Sequence, residues 1–382
     1  MEKTDIQGPQ QMQEEWFDDL FDLLDRVFRS QEGRSMSVDF PFYLRPENAG
    51  NLFVCRADNR VVSHVGYLPV TLSYFGHPVK IGMIGAVATD PHWRGKGLAT
   101  KTLFHAFEKA RQNNICMFMI SGDRKLYMRN GARKAGRYAE YALPLGQMPD
   151  GKVEIEKARP EDAGLMSSMH RQKPYRFIRP LEMWEKIIEA QICHNQLSNY
   201  WIARRKNRPV AYFTLPAGNL KSPGPCPVFE YGGIMEYLLA GLKKAAGARE
   251  DISEFRLCTY CHEEGFRKAL ECAGGRLVDS GATTLFLLDF ERLLGSLMPY
   301  IEEVAGSRIA GNLSFGETEE GQFTIGLGPE RLRVESREKL TDLLFLEGPS
   351  LMERKLEGKE NLRIALEQFL PLTAPKYDMS YA

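Results

Sequence analysis

The chain lacks any long hydrophobic run. No stretch approaches the roughly 20 consecutive apolar residues that a membrane-spanning helix needs. The N-terminus begins Met-Glu-Lys-Thr-Asp and continues with Gln and Glu, so it also lacks the basic start and apolar core of a secretory signal. We therefore expect a cytoplasmic protein without a membrane partner.

The chain also lacks an excess of charge of either sign. Its 50 Lys and Arg residues balance its 50 Asp and Glu residues. A protein that binds nucleic acid or an anionic membrane through its overall field carries an excess of positive charge. The composition therefore gives no reason to expect a nucleic-acid partner.

A cysteine framework is missing as well. The seven cysteines are an odd number, scattered from Cys55 to Cys272, and suggest no disulfide pattern. Cys258-Thr259-Tyr260-Cys261-His262 spells a c-type haem attachment motif, but that chemistry needs export, and one Cys-x-x-Cys pair is a weak metal signal. We expect no metal. His64 is predicted to be a hydrogen-bonded sheet histidine, with a place beside the substrate as the alternative.

The composition that remains is that of an ordinary globular protein, with 43% hydrophobic and 26% charged residues. At 382 residues the chain is too long for one core, so two or three domains are expected. Residues 13–30 predict an amphipathic helix with one acidic side. That side is either a solvated face or an acidic lip that attracts a cationic amine.

The first block of the chain predicts an α+β domain of about 145 residues. Strands are expected over 52–90, followed by a glycine-rich turn, a helix over 98–112 and a strand over 115–120. The segment 144–152, rich in Pro and Gly, marks the boundary of this domain.

Two further blocks follow. The second repeats the pattern of strands and helices from residue 153 to 289, with Glu230-Tyr-Gly-Gly before a helix near 234–245. The third is predicted to have a helix over 290–304, strands near 311–315, 322–327 and 331–336, and a helical tail over 338–369. We place the domains at 1–148, 149–288 and 289–382.

The segment Ile84 to Thr100 carries the strongest chemical signal. A strand leads into the turn Arg94-Gly95-Lys96-Gly97, and a helix begins directly after it. Glycines leave backbone N–H groups accessible, and a helix N-terminus is positive, so together they predict a pyrophosphate site with Arg94 and Lys96 at its rim. The run is neither a Walker loop nor a dinucleotide fingerprint. A plain glycine-rich turn would explain the glycines alone.

The wider pattern resembles a known superfamily. Arg94 to Ala99 is similar to the Gln/Arg-x-x-Gly-x-Gly/Ala signature of the GNAT acetyltransferases, and Val87 to Pro91 is similar to the strand that precedes it. Tyr127, in Leu126-Tyr-Met-Arg-Asn-Gly-Ala132, stands where that family has its general acid.

The GNAT resemblance implies acetyl-CoA as cosubstrate. The backbone of Val87, Ala88 and Thr89 would bind the pantetheine arm like an added strand, and the strand 115–120 would splay away, with Ser121 and Gly122 near the cofactor. The pyrophosphate would be held by Arg94, Gly95, Lys96, Gly97, Leu98, Ala99 and Thr100. Tyr127 would protonate the leaving thiolate; alternatively, it only packs a helix onto the sheet.

The plan of the whole chain resembles the Eis (enhanced intracellular survival) acetyltransferases. This implies a catalytic GNAT domain, a degenerate second one without cofactor, a sterol carrier protein-like third domain and a hexamer. In that family the C-terminal carboxylate is the general base; here it belongs to Ala382. We expect an N-acetyltransferase acting on a small-molecule or lysine-like amine. The alternatives are a longer-chain acyltransferase and an acyl-CoA- or lipid-binding or regulatory protein without efficient turnover.

Overall fold

The computed structural model describes residues 5–29, 34–194, 196–218, 223–318 and 321–377, without the side chains of residues 137 and 280. The chain divides into two compact units. The first comprises Met1–Val38, Phe42–Gly136 and Thr283–Pro375; the second comprises Asp39–Pro41, Arg137–Ala282 and Lys376–Ala382. The three predicted domain boundaries remain a prediction.

The strands, in chain order, are β1 Ile6–Gln11, β2 Leu52–Ala57, β3 Arg60–Tyr74, β4 His77–Thr89, β5 Met117–Ile120, β6 Arg133–Pro144, β7 Glu154–Lys157, β8 Tyr175–Ile178, β9 Ile192–Cys193, β10 Gln196–Arg205, β11 Arg208–Pro216, β12 Gly224–Val228, β13 Glu230–Gly233, β14 Ile252–Tyr260, β15 Arg276–Leu287, β16 Leu313–Glu317, β17 Phe323–Leu327 and β18 Glu330–Val334. The α-helices are α1 Phe17–Phe28, α2 Met36–Asp39, α3 Leu98–Gln112, α4 Lys125–Met128, α5 Ala163–His170, α6 Leu181–Ala190, α7 Met235–Ala246, α8 Glu264–Cys272, α9 Phe290–Ala305, α10 Ser307–Ala310, α11 Arg337–Phe345, α12 Glu353–Leu356 and α13 Glu360–Glu367.

The main sheet of the first unit has the strand order β1-β2-β3-β4-β5. The first four strands are antiparallel neighbours, whereas β4 and β5 are parallel and are joined through α3. The hairpin between β3 and β4 turns at Phe75 and Gly76, which both have positive φ. Residues Thr284–Leu287 of β15 pair with β5 on its other side.

Helix α3 closes one face of this sheet. Its residues Leu103, Ala106 and Phe107 are buried in one cluster with Phe53 and Val65 of the sheet. The ring of Phe107 stacks on that of Phe286 with centroids 4.2 Å apart. Apolar residues at a helical spacing therefore bury one side of α3, as its sequence predicts.

Residues 290–375 also belong to the first unit. Helix α9, capped by the Asp289 side chain, precedes the antiparallel sheet β16-β17-β18. The predicted helical tail over 338–369 consists of three helices, α11, α12 and α13. They are separate because Gly348 and Gly358 have positive φ and Pro349 follows the first of them.

In the second unit, β10 lies between β11 and β7, with β13 beside β11, while β14 lies between β12 and residues 138–144 of β6. Helix α7 packs against the first of these sheets, with Leu238, Leu239 and Leu242 buried in the core. Among the described residues of both units, no helix is long and apolar enough to cross a membrane.

Candidate active site

The candidate site begins where β4 and β5 separate. The two strands pair in parallel from Ile81 and Met117 as far as Ile84 and Ile120. One more hydrogen bond follows, 3.1 Å from Ser121 N to Ile84 O. Strand β5 then ends, whereas β4 continues to Thr89. A wedge-shaped opening therefore lies along the last residues of β4.

A β-bulge shapes this end of β4. The register against β3 shifts between Gly85 and Ala88, and Ala86 has φ +49°. Two side chains hold the bulge. The Tyr43 hydroxyl donates to Gly85 O at 2.7 Å, and His64 Nδ1 lies 2.9 Å from Ala86 O. A β-bulge bends its strand and so changes the direction of the backbone that follows it.

The backbone groups after the bulge point into the opening. Asp90 N donates to Val62 O at 2.9 Å, which makes Ser63 and Thr89 a non-hydrogen-bonded pair. The N–H and C=O of Thr89 therefore face away from β3. Ala88, which pairs with His64, faces β3. This is the orientation that an extended ligand needs in order to pair with β4 as an added strand.

Asp90 fixes the turn that leaves β4. Its carboxylate accepts a hydrogen bond from His92 N at 3.0 Å and pairs with Arg26 Nη1 at 2.9 Å. Burial alone would raise the pKa of Asp90, but the hydrogen bonds from His92 and Arg26 outweigh it and lower that pKa. The residue thus remains charged, and it anchors the short turn Pro91–Trp93 that leads to Arg94.

Both glycines of the turn have backbone angles that favour glycine. Gly95 has φ +79° and Gly97 has φ +76°, and a Cβ at either position would meet nothing within 4 Å. The first hydrogen bond of α3 runs from Lys101 N to Gly97 O. The N–H groups of Leu98, Ala99 and Thr100 therefore have no partner within the helix.

The rim of the turn is cationic. Arg94 and Lys96 are exposed. Arg94 Nε donates to Thr89 O at 3.2 Å, and Lys96 Nζ lies 4.0 Å above the centre of the Trp93 ring. No acidic residue lies in the first turn of α3. Positive side chains and free N–H groups are thus concentrated at the positive end of one helix, which is an arrangement that binds phosphate.

Tyr127 lies in the short helix α4 and is 3% exposed. Its backbone is fixed by hydrogen bonds to Arg124, Asn130 and Ala132. The side chain shares a buried cluster with Ile84, Val87 and Ile120 from the two diverging strands. Its burial agrees with both predicted roles, the general acid and the packing residue.

Ser121 and Gly122 directly follow β5 and are both exposed. Ser121 is attached to Ile84 at the closed end of the opening by the hydrogen bond described above. Gly122 has φ +88°. The predicted cofactor residues Val87, Ala88, Thr89, Arg94, Gly95, Lys96, Gly97, Leu98, Ala99, Thr100, Ser121 and Gly122 therefore lie on the opening or on the turn that follows it.

The acidic side of α1 is partly used within the fold. Asp22 pairs with Arg60 at 2.7 Å, Asp19 accepts from Val61 N and Asp25 accepts from Met36 N at 2.7 Å. Glu14, Glu15 and Asp18 remain exposed. Two of the five acids expected on this side, Asp19 and Asp22, therefore hold α1 and its neighbours in place, and the other three lie at the surface.

The predicted base, Ala382, lies outside the described residues. The tail before it is held by the fold. In the first unit, Thr373 N donates to Tyr74 Oη at 2.9 Å and Thr283 Oγ1 donates to Pro375 O at 2.7 Å. In the second unit, Lys376 N donates to Tyr260 Oη at 3.2 Å. The chain is therefore held by hydrogen bonds from Thr373 to Lys376.

Comparison with known proteins agrees with this geometry. Residues 9–135 match the family model of the acetyltransferase (GNAT) domain. A GCN5-related N-acetyltransferase from Anabaena variabilis superposes with a TM-score of 0.65, at 13% identity, over 98% of each chain. The Eis1 protein of Mycobacterium abscessus superposes with a TM-score of 0.62, at 12% identity, also over 98% of each chain. No curated protein matches the chain in sequence.

This chain has a GNAT-type fold. The similarity to the solved structures extends over both units, and the domain match supports an acyltransferase activity for the first. The match from residue 9 also includes the last residues of β1 and the whole of α1.

The second unit contains a similar divergence of strands without the phosphate turn. β12 pairs in parallel with β14 as far as Val228 and Leu257, and the chain then continues as β13 beside β11. Here Tyr231 Oη reaches across to Cys258 O at 2.9 Å. Helix α7 follows without the Arg-x-x-Gly-x-Gly/Ala signature, and Glu236 lies in its first turn, where a carboxylate repels phosphate. These features agree with a degenerate GNAT-like domain.

The motif from Cys258 to His262 lies in this second unit. Burial raises the pKa of the Cys258 thiol, whereas Cys261 is exposed. Over the part of the chain that the structure describes, no group of three or more His, Cys, Asp or Glu side chains is placed to hold a metal ion.

Proposed function

We propose that this protein is an acetyl-CoA-dependent N-acetyltransferase that acts on a primary amine by direct transfer. The observation that carries the proposal is the opening between β4 and β5, which leads directly to the unpaired N–H groups at the start of α3. A CoA thioester needs both parts, an extended strand edge for its pantetheine arm and a cationic turn for its pyrophosphate.

In the proposed reaction, the amine nitrogen attacks the thioester carbonyl carbon, a C–N bond forms and the C–S bond breaks. Tyr127 donates its phenolic proton to the departing sulfur, so that CoA leaves as the thiol, and the attacking nitrogen releases one proton. The Ala382 carboxylate, acting through water, is the proposed acceptor of that proton. Because both reactants lie in one cleft, proximity makes a covalent enzyme intermediate unnecessary.

The acceptor is proposed to be a polyamine, an aminoglycoside-like amine or a lysine-like amine. Glu14, Glu15 and Asp18 are the exposed acids of the N-terminal helical segment that remain to attract such a cation. The Eis-like plan adds two finer proposals, a sterol carrier protein-like domain around β16-β17-β18 and a hexamer. Sedimentation velocity of the purified chain tests the hexamer.

The direct test is CoA release from acetyl-CoA against a panel of amines. We expect turnover with the native protein and a fall in kcat of about 10²- to 10⁴-fold in Tyr127→Phe, which is the usual contribution of a general acid. Tyr300→Phe is the matched control, because its half-buried ring stacks on Phe75 in another part of the unit. Equal rates in the two variants would refute the role of Tyr127.

Two further outcomes of the same assay decide between functions. Tight acetyl-CoA binding without turnover on any amine would favour the binding or regulatory protein. Faster turnover with longer acyl-CoA thioesters would favour a longer-chain acyltransferase. Removal of the residues after Tyr377 tests the base, since unchanged turnover would contradict the role proposed for Ala382.

A further inference from the structure

A third cation lies at the start of α3, contributed by a different element. Arg129 directly follows α4, and its Nη2 atom lies 3.5 Å from Thr100 Oγ1 in the first turn of α3. The Arg129 side chain is exposed. Its guanidinium therefore lies at the same helix end as Arg94 and Lys96, although it is distant from both in sequence.

The three cations are alike in their electrostatic surroundings. Among the described residues, none of Arg94, Lys96 and Arg129 is paired with a carboxylate; their contacts are Thr89 O, the Trp93 ring and Thr100 Oγ1. By contrast, Lys134 is paired with Asp123 at 2.5 Å and Arg133 is paired with Asp342 at 2.7 Å.

The position of the three cations makes the arrangement unfavourable without an anion. Like charges repel one another, and the N-terminal end of a 15-residue helix adds further positive potential. A ligand with more than one negative charge relieves both effects. Because Thr100 is the third residue of α3, the group nearest Arg129 is the one bound by the N–H groups of Leu98, Ala99 and Thr100.

We propose that Arg129 binds the pyrophosphate of the cofactor and thereby positions Tyr127. This inference rests on the proposed function, since it assumes a CoA thioester in the opening. The link to Tyr127 is short. Arg129 N donates to Lys125 O at 3.2 Å, and Asn130 N and Ala132 N donate to Tyr127 O at 3.0 and 3.1 Å. Fixing Arg129 therefore fixes the turn that carries the proposed acid.

The test is calorimetric titration of acetyl-CoA and of acetyl-dephospho-CoA, which lacks the 3′-phosphate, into the native chain and three variants. Arg129→Gln is expected to weaken both ligands equally, by about tenfold or more, because it removes a charge-assisted hydrogen bond. Arg129→Lys recovers part of the affinity, since lysine keeps the charge without the fork. Lys109→Gln, which removes a charge near the other end of α3, leaves binding unchanged.

Turnover at saturating acetyl-CoA tests the positioning of Tyr127. We expect a lower kcat in Arg129→Gln, and an unchanged kcat would overturn that part of the proposal. Binding by Arg129→Gln as tight as by Lys109→Gln would overturn the phosphate contact. A loss confined to acetyl-CoA would also overturn it, because the contact would then be to the 3′-phosphate. Failure of the native chain to bind acetyl-CoA would instead refute the proposed function.

Discussion

Mild acid is expected to destabilise the first unit through His64, the histidine that contacts the bulge of β4. Its ring is fully buried, Nδ1 lies 2.9 Å from Ala86 O and Nε2 has no hydrogen-bond partner. Protonation would place a charge and an unmatched N–H in the core. Burial therefore lowers the pKa of His64 from 6.5 to about 4, although the hydrogen bond to Ala86 opposes the shift.

The sign and size of the effect follow from proton linkage. Between pH 6.5 and pH 4 the unfolded chain binds a proton at His64 and the folded chain does not, so stability falls as the pH falls through this window. At about 1.4 kcal/mol for each unit of pKa, the full loss is about 3 kcal/mol. Above pH 7 the contribution is constant.

The assay is hydrogen exchange of peptides from β3 and β4 at several pH values, corrected for intrinsic rates, because it reports the first unit separately from the second. His64→Asn is the comparison, since its amide N–H is able to replace Nδ1 as a donor to Ala86 O and it does not titrate in this range. We expect a shallower fall in stability with acid in the variant. Equal slopes for the two proteins would refute the argument.

Two further substitutions test the local structure. Gly97→Ala should weaken acetyl-CoA binding by about five- to thirtyfold, because the left-handed backbone conformation costs a residue with a Cβ about 1–2 kcal/mol. Gly265→Ala, in a helix with open space around it, is the control and should not weaken binding. Equal affinities of the two variants by calorimetry would contradict this prediction. Glu230→Gln should destabilise the second unit by about 3–5 kcal/mol, because Arg179, paired with Glu230 at 2.6 Å, would be left as a buried charge without its anion. Glu236→Gln, on the exposed face of α7, is the control. Equal stabilities of the two variants in urea would contradict this prediction.

Much of the first unit is predictable because its signals are local. The apolar spacing of α3 and the glycines before it define that helix, and the structure places it at Leu98–Gln112 as expected. The strands expected over 52–90 are β2, β3 and β4, and β3 is long because pairing with β4 along its length holds the chain extended. β1 was not predicted, because Pro9 and three glutamines do not form the apolar pattern that is typical of a strand.

The candidate site is less predictable because its parts meet only in three dimensions. The turn from Arg94 to Gly97 is visible in the sequence, and so is the tyrosine. The approach of Arg129 to Thr100 is not, since no periodicity relates the two residues. The roles of Tyr43 and His64 at the bulge are likewise set by strand register, and the Arg179–Glu230 pair of the second unit joins residues 51 positions apart.

The central claim is that a CoA thioester lies in the opening between β4 and β5 with its sulfur beside Tyr127. A crystal structure of the chain with acetyl-CoA tests it most directly. We expect the pantetheine arm along Val87 and Thr89, the pyrophosphate on the N–H groups from Gly95 to Thr100, and the Tyr127 hydroxyl within hydrogen-bonding distance of the sulfur. Acetyl-CoA bound elsewhere, or bound here with Tyr127 turned away from the sulfur, would contradict it.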